Sequence, residues 1–235
     1  MKPIVVLFGS SWDAYSNSVH VDQYLALFSK CFAVALIGIV FYVLYRRSIS
    51  FVLTLGITMI FVGFALLNWK EHFYHLPFLM EQAIACSTPY LLYASYQRKF
   101  DPWLINVAIA TTFVGHGVYA LNLLEIPGDF VQMVMNVFNV TEDSARSMLK
   151  VIGVLDFLAA LLLFLPQRKI ASVAIYYCII WGLLTAFARL AGHYHAEFGI
   201  HTLDEYWHET IIRLPNGLVP LWLLLAHSQQ KATQL

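Results

Sequence analysis

Apolar residues gather in seven stretches, near Tyr24–Tyr45, Ser48–Trp69, Leu76–Tyr96, Trp103–Leu124, Leu149–Leu165, Ile170–Leu190 and Thr210–His227, with short polar connections between most of them. Runs of about 20 apolar residues are long enough to cross a hydrocarbon core as helices. Lipid offers no partner to a backbone amide, so such segments are expected as helices rather than strands. The second, fourth and sixth runs are free of charge over most of their length. Arg213, Pro215 and Asn216 interrupt the first turns of the seventh.

The connection over residues 125–148 is different in kind. Ile126-Pro127-Gly128-Asp129 reads as a turn, and Phe130–Phe138 mixes apolar and amide residues as a helix lying on a membrane surface would. A further helix is expected to start at Thr141, with Thr141 as its N-cap and acids in the first turn. Asn139-Val140-Thr141 also matches a glycosylation sequon, which matters only in a secretory pathway.

Charge sets a direction across the membrane. Arg46-Arg47, Arg98-Lys99 and Arg168-Lys169 lie in every second connection, which places those loops in the cytoplasm, the N-terminus outside and the C-terminus inside. Eight of the nine histidines fall in the opposite loops or the membrane half nearest them. Trp12, Trp69, Trp103 and Trp207 lie near span ends, as interfacial aromatics do. The apolar segment Ile4–Phe8 is shorter than a secretory h-region, so no cleaved signal is expected there.

Composition supports the membrane reading. Hydrophobic residues make up 60% of the chain and charged ones 12%, outside the range of ordinary soluble domains. The formal charge is balanced, which gives no reason to expect nucleic-acid binding. Cys31, Cys86 and Cys178 are isolated within apolar runs and are expected as packed thiols, not disulfides. Phe61-Val62-Gly63 and Phe113-Val114-Gly115 precede similar exits followed by Pro77 and Pro127, an echo that either duplication or chance would leave.

From about residue 103 onward the chain resembles the DoxX-like integral membrane proteins. Gly115-His116-Gly117 followed by Val118-Tyr119-Ala120-Leu121, and the run Val151-Ile152-Gly153-Val154-Leu155-Asp156-Phe157-Leu158, are the residues that carry the likeness. The resemblance implies a four-helix membrane bundle over 103–235, with Asp156 at the family's acidic position and a three-span region over 1–102 before it. It departs from the family at Ala120, where a lysine is common, and in the long connection after the fourth run. Some members are associated with respiratory or thiol-linked oxidoreductase complexes, which implies a redox partner subunit.

Ionisable groups within apolar runs need a partner or a wet cavity. Glu81, His116, Asp156, Arg189 and Arg213 all fall in the outer half of the membrane by this topology, and their overlapping depths point to one connected ligand or proton site. A structural ion-pair network that fixes helix packing is the plain alternative. The sixth connection is rich in His193, His195, Glu197, Glu205 and His208. Imidazole with carboxylate suits a transition metal, although the spacing matches no named metalloenzyme signature and a hydrated loop is the simpler reading.

Together these features are read as an all-α, polytopic protein of a bacterial plasma membrane, with an outward-facing polar cavity that binds a quinone or a metal, as a subunit of a membrane redox complex. A metal-dependent membrane enzyme using the outer histidines, a proton-coupled transporter using Glu81 and Asp156, and a purely structural subunit are the alternatives. Very short inner loops argue against a G-protein-coupled receptor, and the seventh run has no interior lysine for a retinal Schiff base.

Overall fold

The computed structural model describes residues 21–46, 48–97, 101–194 and 200–232, with residues 21, 22, 25, 26, 29, 44, 200–205 and 227–232 described by backbone alone. Ten helices cover them: α1 Val21–Arg46, α2 Phe51–Glu71, α3 Leu76–Glu81, α4 Ala83–Tyr96, α5 Pro102–Ala120, α6 Gly128–Phe138, α7 Glu142–Leu162, α8 Arg168–Gly192, α9 Ile200–Arg213 and α10 Pro215–Ala232. No strand occurs among the described residues. Three of the helices, α2, α5 and α8, are long and apolar enough to cross a membrane.

Two of the predicted runs are each split into two helices, and each break has a physical cause. In the third run the ladder bond from the Ile84 N–H to the Met80 carbonyl is replaced by a side chain from α5. The Ile84 N–H donates to Thr112 Oγ1 at 3.2 Å, while Thr112 Oγ1 donates to the Met80 carbonyl at 3.4 Å. A group inserted into the ladder in this way is a standard origin of a helix break, and here it separates α3 from α4. The seventh run divides at Leu214. Pro215 disfavours helical backbone in the residue before it and opens α10, while α9 continues from the preceding connection to Arg213.

Other ends are set by capping. α5 stops at Ala120 rather than Leu124 because Asn122 adopts a left-handed conformation (φ 58°). The Leu123 N–H then bonds the Val118 carbonyl and the Asn122 N–H the Tyr119 carbonyl, closing a Schellman motif. Asn139 does the same work after α6 (φ 51°), with the Val140 N–H on the Met135 carbonyl. That position gives the asparagine a conformational role independent of any sequon. α7 starts at Glu142 after the Thr141 N-cap, well before the apolar run begins, and Arg146 pairs with Glu142 on its exposed face.

The chain divides into two compact units, Met1–His75 with Pro89–Phe100 and Leu76–Thr88 with Asp101–Leu235. In the first, aromatic pairs Phe32–Phe64 and Phe51–Tyr93 join helices, and α2 buries only Thr54 and Ala65. In the second, α5, α7, α8 and α10 form a closed ring in which each packs on two others. Glycines set the approaches. A Cβ at Gly182 would lie 2.5 Å from the Asn216 carbonyl oxygen, and one at Gly217 2.6 Å from Leu183. The helix α6, expected on a membrane surface, instead buries Phe130, Val131, Met133 and Val134 against α7 and α8. Its apolar face joins Tyr119, Ile126 and Leu149 in the core.

Candidate functional site

The step Gly115-His116-Gly117 positions the site. A Cβ at Gly115 would lie 2.9 Å from the Pro77 carbonyl oxygen and 3.1 Å from the Glu81 nitrogen, so α3 rests directly on the backbone of α5. A Cβ at Gly117 would lie 2.7 Å from the Phe157 ring, so α7 closes on the other side. His116, between them, is therefore held where two helices come nearest to α5. Only residues without a Cβ permit that approach.

Close packing by α3 brings Glu81 to His116. The carboxylate, 1% exposed, has Oε1 3.1 Å from His116 Nδ1 and Oε2 3.8 Å from Arg213 Nη1. A carboxylate shut away from solvent needs such opposite charge to remain ionised. Arg189 is 7% exposed, lies 3.5 Å from Glu209, and stacks its guanidinium over the Phe130 ring at 5.4 Å. Both arginines thus already have a carboxylate partner.

Asp156 lies on α7 one turn after Gly153, whose missing Cβ admits Ala120 of α5 and its C-cap Leu121. The side chain is fully buried, and Tyr177 of α8 donates to Oδ1 at 2.7 Å. Asp156 Oδ2 and His116 Nε2, like both carboxylate oxygens of Glu81, are buried without a hydrogen-bond partner. Buried polar atoms in native proteins are normally satisfied, by protein groups or by ordered water.

Asp156 and His116 line one cavity of about 260 Å³. His116, Asp156, Arg189 and Arg213 are among its lining residues, although little of its surface is polar. Phe130, Met133, Val134, Leu149, Ile152 and Trp181 supply much of the rest, which is apolar. Among the lining residues Val137 and Phe138 of α6 and Leu184 and Phe187 of α8 are substantially exposed. The apolar lining therefore reaches the protein surface between α6 and α8.

Of the five residues expected to form a connected site, four line the cavity, and Glu81 supports it through His116 and Arg213. The histidine-rich connection is described only in part: His195 and Glu197, and the side chain of Glu205, lie outside the described residues. His193 places Nδ1 2.8 Å from the Arg189 carbonyl and stacks on Tyr206 at 4.0 Å, while His208 is exposed. Among the described residues no group of three or more His, Cys, Asp or Glu side chains comes together as a metal site requires.

Tyr177, Glu209, Phe130 and Trp181 were not expected. One signal was present: Ala174, Cys178, Gly182, Ala186 and Arg189, small residues and one cation at helical spacing, mark the buried stripe of α8. No family model, no curated protein and no solved structure matches the chain.

Proposed function

We propose that this is a multi-pass protein of a bacterial plasma membrane whose C-terminal four-helix bundle holds a small amphiphilic molecule of quinone-like size and polarity. The reading has seven spans, α3 with α4 forming the third and α10 the greater part of the seventh. The N-terminus is outside and the C-terminus in the cytoplasm. Alternating basic loops at Arg46-Arg47, Arg98-Lys99 and Arg168-Lys169 support that orientation. The observation that carries the reading is the cavity itself: an apolar body continuous with an apolar surface, with His116, Arg189 and Arg213 among its lining residues. The DoxX-like resemblance of the same helices makes a subunit of a membrane redox complex the natural setting.

In this reading His116 and Arg213 meet the ligand head, Glu81 fixes the His116 ring, and Asp156 stays buried on Tyr177. Arg189 and Arg213 neutralise Glu209 and Glu81. Native mass spectrometry of protein taken from its own membrane in mild detergent tests this. One small apolar molecule per chain is expected, and it is expected to be missing from Ala188→Trp, which fills the cavity. Wild-type protein with no bound molecule, and no uptake when a short-chain benzoquinone is added, would overturn it.

A further inference from the structure

The mouth of the cavity limits what can enter it. Five of the lining residues are also exposed: Val137 and Phe138 at the end of α6, and Leu184, Phe187 and Ala191 on α8. None of the five has a polar side chain. Asn136, an exposed polar neighbour on α6, donates to the Gly192 carbonyl at 2.7 Å and so ties the two helices together next to the opening. A water-soluble ligand would find no polar group among those five to exchange for its hydration.

The opening continues a stripe on the outside of α8. Val173, Tyr176, Ile180, Leu184 and Phe187 recur every three or four residues, so they share one face of the helix, and all are exposed. α8 is also one of the helices long and apolar enough to cross a membrane. In a bilayer this face lies against acyl chains, and its last two residues form one side of the mouth. A chain that follows α8 therefore reaches the cavity without leaving hydrocarbon.

The interior suits the same occupant. Phe130, Met133, Val134, Leu149, Ile152 and Trp181 supply apolar lining. Left empty, such a cavity deprives its lining of dispersion contacts on one side, and water does not fill apolar cavities. An engineered apolar cavity of about 150 Å³ holds benzene, so about 260 Å³ takes on the order of ten carbon atoms. We infer that the cavity is a lateral seat for an acyl chain of a bilayer lipid, which enters between α6 and α8 and fills the apolar lining whenever the amphiphile is absent. This rests on the membrane placement and the cavity of the reading above, and not on the identity of the amphiphile. The amphiphile then binds by exchange. Replacing one hydrocarbon body by another gains little in lipid, so its head at His116 and Arg213 is what favours it over the chain.

The test follows Trp181, which lines the cavity, in the full chain in nanodiscs of phosphatidylcholine with and without bromine along the acyl chains. The Trp181 emission is the difference between wild type and Trp181→Phe in each lipid. Brominated chains are expected to quench most of that difference. Ala188→Phe fills the cavity and Val137→Phe narrows its mouth. Each, measured against the same variant carrying Trp181→Phe, is expected to recover most of the lost emission. Should Ala188→Phe not fold, Val137→Phe, at an exposed position, decides alone. Equal quenching in wild type and variant means that chains meet Trp181 only from outside, and it overturns the seat. Emission that bromine leaves unchanged overturns it too. Uptake of a short-chain benzoquinone in the same nanodiscs separates the two claims. If uptake saturates, either adverse result removes the chain and leaves the amphiphile site. If there is no uptake, quenching relieved by the variants keeps the seat and removes the amphiphile.

Discussion

Helices α2 and α7 have the same length, 21 residues, and opposite habits. α2 is apolar almost throughout and buries only Thr54 and Ala65. α7 opens with Glu142 and Asp143, carries Arg146, Lys150 and Asp156, and yet buries Ala145, Leu149, Gly153, Asp156, Ala159 and Ala160 along one stripe. In a soluble protein the more apolar helix would be the more deeply buried. In lipid the relation reverses, since hydrocarbon accommodates apolar side chains as well as protein does. What drives helices together there is close approach at small residues and pairing of polar ones. The glycines make the same contrast: a Cβ at Gly56 or Gly63 of α2 would meet nothing within 4 Å, whereas one at Gly153 of α7 would lie 2.8 Å from Leu121.

The sharpest way to break this contrast is to place the same side chain at a glycine of each kind. Gly182→Leu drives carbon into backbone atoms of Asn216 and Gly217, which cannot move aside. It is expected to destabilise by more than about 3 kcal/mol, beyond ordinary overpacking, and to leave no monodisperse protein on size exclusion. Gly63→Leu is expected to leave the stability within about 0.5 kcal/mol of wild type, as a surface change does. Equal behaviour of the two variants would sink the comparison.

A smaller effect is expected from charge. Glu81→Ala leaves His116 and Arg213 without their shared buried carboxylate and is expected to lose about 3 kcal/mol. Glu142→Ala breaks an ion pair whose side chains are 58% and 43% exposed and is expected to lose less than about 0.5 kcal/mol. Denaturation in mixed detergent, followed by near-ultraviolet circular dichroism, separates the two. Tyr177→Phe removes one donor to Asp156, and a loss of about 1.5 kcal/mol is expected by the same assay. A smaller loss than that of Tyr177→Phe belongs to Ser50→Ala, which deletes the N-cap hydrogen bond to the Leu53 N–H at the start of α2. It is expected to cost about 0.5–1 kcal/mol.

Much of the helical order was legible because charge-free runs and dibasic loops are strong local signals. The breaks in the third and seventh runs were not equally so. Pro215 announced the second, but the first depends on Thr112, about thirty residues away in sequence, entering the ladder between Met80 and Ile84. The polar residues of the site were visible singly, because Glu81, His116, Asp156, Arg189 and Arg213 are out of place in apolar runs. Their partners were not, since Tyr177 and Phe130 look like ordinary members of their segments. The burial of α6 also escaped, because an amphipathic helix reads alike whether lipid or protein covers its apolar face.

The most direct test of the bundle as an amphiphile site uses Trp181, which lines the cavity. Tryptophan emission is followed in nanodiscs while a ten-carbon chain brominated at its far end is added, in turn with hydroxyl, ketone and carboxylate heads. Saturable quenching by at least one of them, lost in Trp181→Phe, is the predicted result. Quenching that rises without saturation and is the same in wild type and Trp181→Phe would mean the probes enter only the lipid, and would contradict it.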